Sequence, residues 1–266
     1  MNIIQVTSLD QPGLEPYRTL RRPVEHHRRG IFVAEGEKVV RRLLESQFQV
    51  LSALLTPEWL DRYRSLLNGR SATVYVAPKS IVETIVGFRL HQGIMAMGAI
   101  PQTPPLSAVL QQATRPYLLA AVDGLTNADN LGVLVRNCAA FGVQALLVGE
   151  TSSSPYLRRA VRNSMGAVFS IPIIHVNNLA GTLSHLRQEG VQIIAADPHA
   201  SKNISDRPSG EASCCIIFGS EAEGISRQIL EVCDFALAIP MERGVDSLNV
   251  ASASAVFLYE LRRKIL

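Results

Sequence analysis

Residues 117–136 read YLLAAVDGLTNADNLGVLVR, and the fold class follows from how this stretch changes character. From Tyr117 to Val122 it is an unbroken apolar run, of strand length and without the polar alternation of a sheet face open to water. Asp123, Gly124, Asn127 and Asp129 then favour a turn and offer acceptors for the amides of a helix start. Beyond Gly132 the apolar residues recur at helical spacing, which predicts a helix over 132–141. A strand, a polar loop and a helix make the repeating unit of a parallel α/β sheet. Ligands of such sheets gather at loops beyond the carboxyl ends of the strands.

The same alternation continues on both sides. Downstream, apolar runs at 145–148, 191–195, 214–218 and 235–239 predict strands buried on both faces. Helical segments are predicted at 157–163, 179–188 and 226–232. A last helix over 248–264 ends in Arg262, Arg263 and Lys264, which complement the negative end of its dipole. Upstream, strands are predicted at 31–34, 50–55, 73–76 and 94–100, with helices at 37–46, 58–67 and from Pro78 to Val86. Pro101, Pro104, Pro105 and Pro116 mark a connection over 101–116 enclosing a short helix at 106–112. The chain therefore divides into a small α/β domain over 1–100 and a parallel-sheet α/β domain over 117–266.

Composition agrees with two packed domains. The 266 residues are 47% hydrophobic and 18% charged, which excludes a disordered chain. No run approaches the ~18 apolar residues of a membrane span, and the first ten residues lack the basic region of a secretory signal. Cys138, Cys214, Cys215 and Cys233 form no CxxC pair or zinc ladder and read as buried free thiols. The expectation is a soluble, cytoplasmic protein with no structural metal and no membrane partner. The net charge of +3 is unevenly spread: residues 1–105 carry 13 basic and 9 acidic side chains, residues 106–266 carry 13 and 14. Arg18, Arg21, Arg22, Arg28 and Arg29 crowd around Glu25, with His26 and His27 between them. Such a run is either a solvated face or a surface for phosphates.

Three loops carry unusual chemistry. In the first, Asn130 stands at the mouth of the predicted helix and Arg136 more than a turn later. Capping and solvation are their plain roles, although an arginine in so apolar a helix is seldom idle. The second, 219–226, places two glycines five apart in the manner of a phosphate loop, but Ile225 stands where lysine is needed. Glu221 and Glu223 repel phosphate there and suit a cation, a hydroxyl or helix-start amides. In the third, 239–250, Ser247 is a good N-cap for the last helix. Asn249 has poor propensity for a first turn, so its amide has room for a second use. Residues 251–255 are all small, which permits close approach of another backbone within the fold or across a subunit interface. There is no GxGxxG, no GxSxG, and none of the six histidines lies in these loops, so dinucleotide oxidoreductase, hydrolase and metal chemistry lack support.

In their order and spacing the three loops closely resemble the three motifs of the SpoU (TrmH-like) RNA 2′-O-ribose methyltransferases of the SPOUT superfamily. The first motif matches in Asn127, Asn130, Leu131, Gly132, Arg136, Ala139, Phe141 and Gly142. The second matches from Phe218 to Gly224. The third matches in Ile239, Pro240 and Met241, then Ser247, Leu248, Asn249 and Val250, and later Leu258, Tyr259 and Glu260. A weaker match in Phe32, Val33, Ala34, Glu35, Gly36 and Glu37, with Val40, Leu43 and Leu44, is similar to the family's substrate-binding domain, a small fold like certain RNA-binding ribosomal proteins. Ala128 and Ala251 depart from a proline and a serine common in the family, at positions with no catalytic group.

The resemblance implies a trefoil-knotted sheet, a rare exception to unknotted topology, and a homodimer that binds S-adenosylmethionine. It assigns Gly219, Ile239, Met241 and Leu248 to the cofactor, largely through backbone, which accounts for the lack of an evident acidic ribose-binding residue. It assigns Asn130, Arg136, Glu221, Ser247 and Asn249 to catalysis. RNA is expected to meet Arg21, Arg22, Arg28 and Arg29, together with Arg162 and Ser164 in a segment the family places near RNA. An arginine with a pKa above about 12 is a poor proton acceptor, so Arg136 is read as gripping a phosphate and stabilising negative charge on oxygen. Ribosomal RNA is the expected substrate. Transfer RNA and a non-catalytic RNA-binding role are the alternatives.

Overall fold

The computed structural model describes residues 1–8, 10–20, 22–87, 92–206, 210 and 212–265, and resolves the alternation into two sheets in two units. Residues 1–102 and 156–170 form one unit, residues 103–155 and 171–266 the other.

The first unit holds β1 (Asn2–Gln5), β2 (Ile31–Glu35), β3 (Val50–Leu55), β4 (Thr73–Val76) and β5 (Ile94–Ala99), in the order β1-β4-β3-β5-β2. β4 pairs in parallel with β1 and β3, while β5 runs antiparallel to β2 and β3. The helices Glu37–Glu45, Pro57–Asn68 and Lys79–Val86 follow β2, β3 and β4. The first of them buries Val39, Val40, Leu43 and Leu44, the spacing that predicted it. β1 escaped the sequence reading because it is four residues long and mostly exposed, with no apolar period to detect.

Residues 156–170, expected within the C-terminal domain, pack in this first unit instead. The rings of Tyr156 and Phe169 lie 5.8 and 5.4 Å from that of Phe32, and both also meet Phe48. Arg158 pairs with Glu35 at 3.1 Å, and Arg42 donates to the Met165 carbonyl at 2.7 Å. Tilted and edge-to-face aromatic contacts and a half-buried ion pair outweigh proximity in sequence.

The second unit holds β6 (Leu118–Val122), β7 (Ala145–Val148), β8 (Ile173–His175), β9 (Gln192–Ala196), β10 (Cys214–Phe218) and β11 (Phe235–Leu237). All pairs are parallel, in the order β11-β9-β10-β6-β7-β8. β6, β7 and β10 are buried along their whole length, as their unbroken apolar runs predicted. Below them a core forms from Leu119, Leu147, Leu183, Ile193 and Ile217, and Leu110 of the proline-flanked helix Leu106–Gln112 joins it. Cys138, Cys214 and Cys215 are buried and Cys233 half-buried, all as free thiols. Burial raises the Cys138 and Cys215 thiols well above the ordinary range and Cys233 to about 11. No helix among the described residues is long and apolar enough to cross a membrane.

Candidate active site

The loops after β6, β9, β10 and β11 open at one edge of the second sheet, because parallel strands end together. After β6 the helix Ala128–Ala140 begins four residues earlier than its apolar period suggested. Asn127, not Asn130, caps it, accepting the amides of Asp129 at 2.9 Å and Asn130 at 3.3 Å. Asn130 therefore sits inside the first turn with its side chain available for other partners.

After β10 the chain doubles back. Ser220 and Gly224 exchange both backbone hydrogen bonds at 2.9 Å, which leaves Glu221 in the turn between them. Gly219 admits no side chain, since a Cβ there would lie 2.3–2.5 Å from the backbone of Gly224 and Ile225. Asp123, expected only to favour the turn after β6, holds the exit of this loop. Its buried carboxylate accepts the Ser226 amide at 2.8 Å and the Thr151 hydroxyl at 3.4 Å.

The last helix runs over Val250–Ile265, and Asn249 is its cap in place of Ser247. The Asn249 carbonyl accepts the Ala253 amide and its Oδ1 the Ala251 amide, each at 2.9 Å. Ser247 lies two residues too early to reach those amides and is exposed. With Oδ1 engaged, Asn249 turns Nδ2 outward and donates to Asn130 Oδ1 at 3.2 Å. Asn130 Nδ2 in turn donates to the Glu221 carboxylate. Each asparagine accepts with its oxygen and donates with its nitrogen, so the line has one direction and ends on a charged acceptor.

Glu221 and Asn249 also line a cleft of about 630 Å³ that extends over the carboxyl ends of β9, β10 and β11. Gly219, Ile239, Met241 and Leu248, the four residues assigned to a cofactor, all line it, and so does Ser247. Arg136 does not. It is exposed on a different face of its helix from Asn130 and makes no hydrogen bond or ion pair among the described residues. Asp197, Pro198 and His199, which no motif singled out, form the wall beyond β9.

The second and third loops thus line one cleft, and Asn130 ties the first to them; the model of the SpoU rRNA methylase family matches the same stretch of chain, residues 117–259. The chain belongs to the SpoU rRNA methylase family. An uncharacterized tRNA/rRNA methyltransferase of Mycobacterium tuberculosis is 32% identical, over 99% of this chain and 93% of that one. A 23S rRNA (guanosine-2′-O-)-methyltransferase of Vibrio vulnificus is 35% identical over 66% of this chain and 72% of its own length. Among solved structures, an AdoMet-bound rRNA methyltransferase from Sinorhizobium meliloti shares the fold with a TM-score of 0.86, at 23% identity over 99% of both chains. An RNA 2′-O ribose methyltransferase superposes at 0.76, with 25% identity over 99% of this chain and 100% of that one.

The basic residues of this SpoU methylase are less free than their count suggested. Arg29 binds both oxygens of Glu15, at 2.7 and 2.9 Å, Arg18 binds Asp10 at 2.6 Å, and Arg22 lies 3.6 Å from Glu25. Burial and the neighbouring Arg29 hold the His26 imidazole below its usual range, which keeps it uncharged near neutral pH. Arg28 is exposed, and Arg21 lies outside the described residues. Arg162 is 3.6 Å from Glu35 yet remains 61% exposed. Ser164 requires correction: it is fully buried, donating to the Val161 carbonyl at 2.8 Å and accepting the Gly166 amide at 3.2 Å. Its hydroxyl shapes a turn and has no surface to offer RNA.

Proposed function

We propose that this SpoU methylase transfers a methyl group from S-adenosylmethionine to a ribose 2′-hydroxyl of ribosomal RNA. The observation that carries this reading is the line from Asn249 through Asn130 to Glu221 at the rim of the cleft. The cleft suits the cofactor. Its volume falls within the range of about 300–1,000 Å³ usual for small-ligand sites. Phe218, Ile239, Leu248 and Phe257 give it apolar walls for a purine, and among the described residues no lysine or arginine lines it to oppose a positively charged sulfur. S-adenosylmethionine would supply an electrophilic methyl group whose leaving sulfur needs no proton, and the proton of the 2′-hydroxyl is released to water.

The remaining work belongs to the chain's own side chains. Asn130 and Asn249, with amides already oriented by the relay, hold the ribose so that its 2′-oxygen is aligned for transfer. Glu221 anchors the Asn130 amide and, through it, fixes the direction of the relay. Ser247 offers a further hydroxyl at the same rim. Arg136, exposed and with no partner among the described residues, stands outside the cleft and is placed to grip a phosphate of the RNA by two parallel hydrogen bonds. The 2′-O chemistry named for the Vibrio vulnificus relative supports the choice of ribose over base.

The reading includes an RNA-collecting role for the first domain through Arg22, Arg28, Arg29 and Arg162. It also includes a homodimer, supported by Val256 and Tyr259, 41% and 59% exposed on the last helix, a knotted C-terminal domain, and a cytoplasmic location in keeping with free thiols.

The test is incubation with radiolabelled cofactor and separate ribosomal and transfer RNA preparations, followed by mapping of 2′-O-methyl positions. Label confined to one ribose in ribosomal RNA is the expected result. Label on a base overturns the ribose assignment, and label on transfer RNA alone overturns the substrate.

A further inference from the structure

We propose that Asp197 is the residue that reads the ribose of the cofactor's adenosyl group, accepting hydrogen bonds from its hydroxyls. The proposal rests on the cofactor reading of the cleft and adds to it a side chain that no motif supplied. In sequence Asp197 is unremarked, 22 residues before Gly219 and 42 before Ile239. The strand order changes its meaning.

β9 lies between β10 and β11. Ala195 pairs with Ile217 on one side, and Ala196 pairs with Leu237 on the other. One and two residues further on, the same registers set Asp197 level with Gly219 and with the approach to Ile239. The Asp197 amide still donates to the Leu237 carbonyl at 3.0 Å, so the register persists to this residue. Neighbouring strands are about 4.8 Å apart, so the span from Gly219 to Ile239 is that of a nucleoside, with Asp197 in its middle.

The side chain is prepared for such a role. It is half-buried on the cleft wall, and its Oδ1 accepts the His199 amide at 2.9 Å, which fixes the carboxylate's orientation. Oδ2 has no partner among the described residues. A carboxylate at the carboxyl end of a parallel strand is a suitable acceptor for a ribose diol, since it takes two hydroxyl donors without supplying a proton. The cofactor's ammonium group is the other donor a carboxylate could hold. A place midway between two residues assigned to the cofactor favours the ribose, the middle of that molecule, over the ammonium at its end.

The experiment measures calorimetric binding of S-adenosylhomocysteine and of its 2′,3′-dideoxy analogue to the full chain and to two variants. Asp197→Ala removes the acceptor. Asp197→Asn keeps an oxygen for the His199 amide, and so preserves the turn, while removing the charge. Hydrogen bonds to a charged acceptor predict that Asp197→Ala weakens S-adenosylhomocysteine by about 10- to 100-fold, with Asp197→Asn intermediate. The dideoxy analogue binds the wild-type chain weakly and changes by less than about threefold in either variant. Equal weakening of both ligands overturns the proposal and points to the ammonium or to a distorted loop. Unchanged binding of S-adenosylhomocysteine in Asp197→Ala overturns it outright. If the wild-type chain binds neither ligand, the cofactor reading itself has failed, and the proposal falls with it.

Discussion

In the first unit, Arg18, Arg22 and Arg29 are held by Asp10, Glu25 and Glu15, acids no more than 14 residues away in the chain. In the second, Asn130 is joined to Glu221 across 91 residues and to Asn249 across 119. The first cluster is made by local chain and largely neutralises itself. The second exists only when six parallel strands have set three loops at one edge. The difference shows why a count of charges overstated the first region, whereas the resemblance of three loops to known motifs named the residues of the second. A charge has a function only after its nearest partner is known, whereas an amide in a loop that packing has no use for already asks for one.

The comparison breaks most readily at Asn130. Asn130→Ala interrupts the relay at its centre, and methyl transfer is expected to fall by about 10²- to 10³-fold, the cost of losing one positioned donor. Circular dichroism should show an unchanged fold. Full activity would mean that the relay is only structural. Gly219→Ala is expected next in size: it forces a Cβ into the backbone of Gly224 and Ile225 and should cost about 2–3 kcal/mol in urea unfolding, together with loss of cofactor binding.

The first region can be sharpened by releasing its charge. Glu15→Gln frees Arg29, so RNA should bind a few-fold more tightly with a steeper salt dependence, whereas Arg28→Ala should lower the logarithmic salt slope by about 1. Filter binding at several salt concentrations measures both. Unaltered slopes would remove this cluster from the RNA surface. The smallest effect expected is that of Asn127→Ala, which deletes a cap worth about 1 kcal/mol and should lower the melting temperature by roughly 2–4 °C.

Much of the second unit was legible because its strands are buried on both faces. β6 and β10 appear in sequence as unbroken apolar runs of strand length. Helix starts were less legible. Asn127 and Asn130 are the same residue type three apart, and only geometry decides which one caps; likewise for Ser247 and Asn249. The motif resemblance named the residues that meet in the relay, but it could not report their hydrogen bonds. Asp197 was illegible for a different reason. Its significance comes from β9 standing next to β10 and β11, and strand order is a non-local property that no window of sequence contains. The burial of Ser164 and the pairing of Arg29 with Glu15 are likewise facts of packing.

The placement of residues 156–170 with the first unit bears on how this chain is made. A ribosome releases residues 1–102 and then translates nearly seventy more before Tyr156 and Phe169 can meet Phe32 and Phe48. At elongation speeds of about 5–20 residues per second that interval is roughly 3 to 14 seconds, and β6 and β7 have already emerged during it. The amino-terminal half therefore waits, with part of its aromatic cluster unfilled, for a piece delivered from the other side of the proline-rich connection. A gene cut after Gln102 leaves the first unit incomplete.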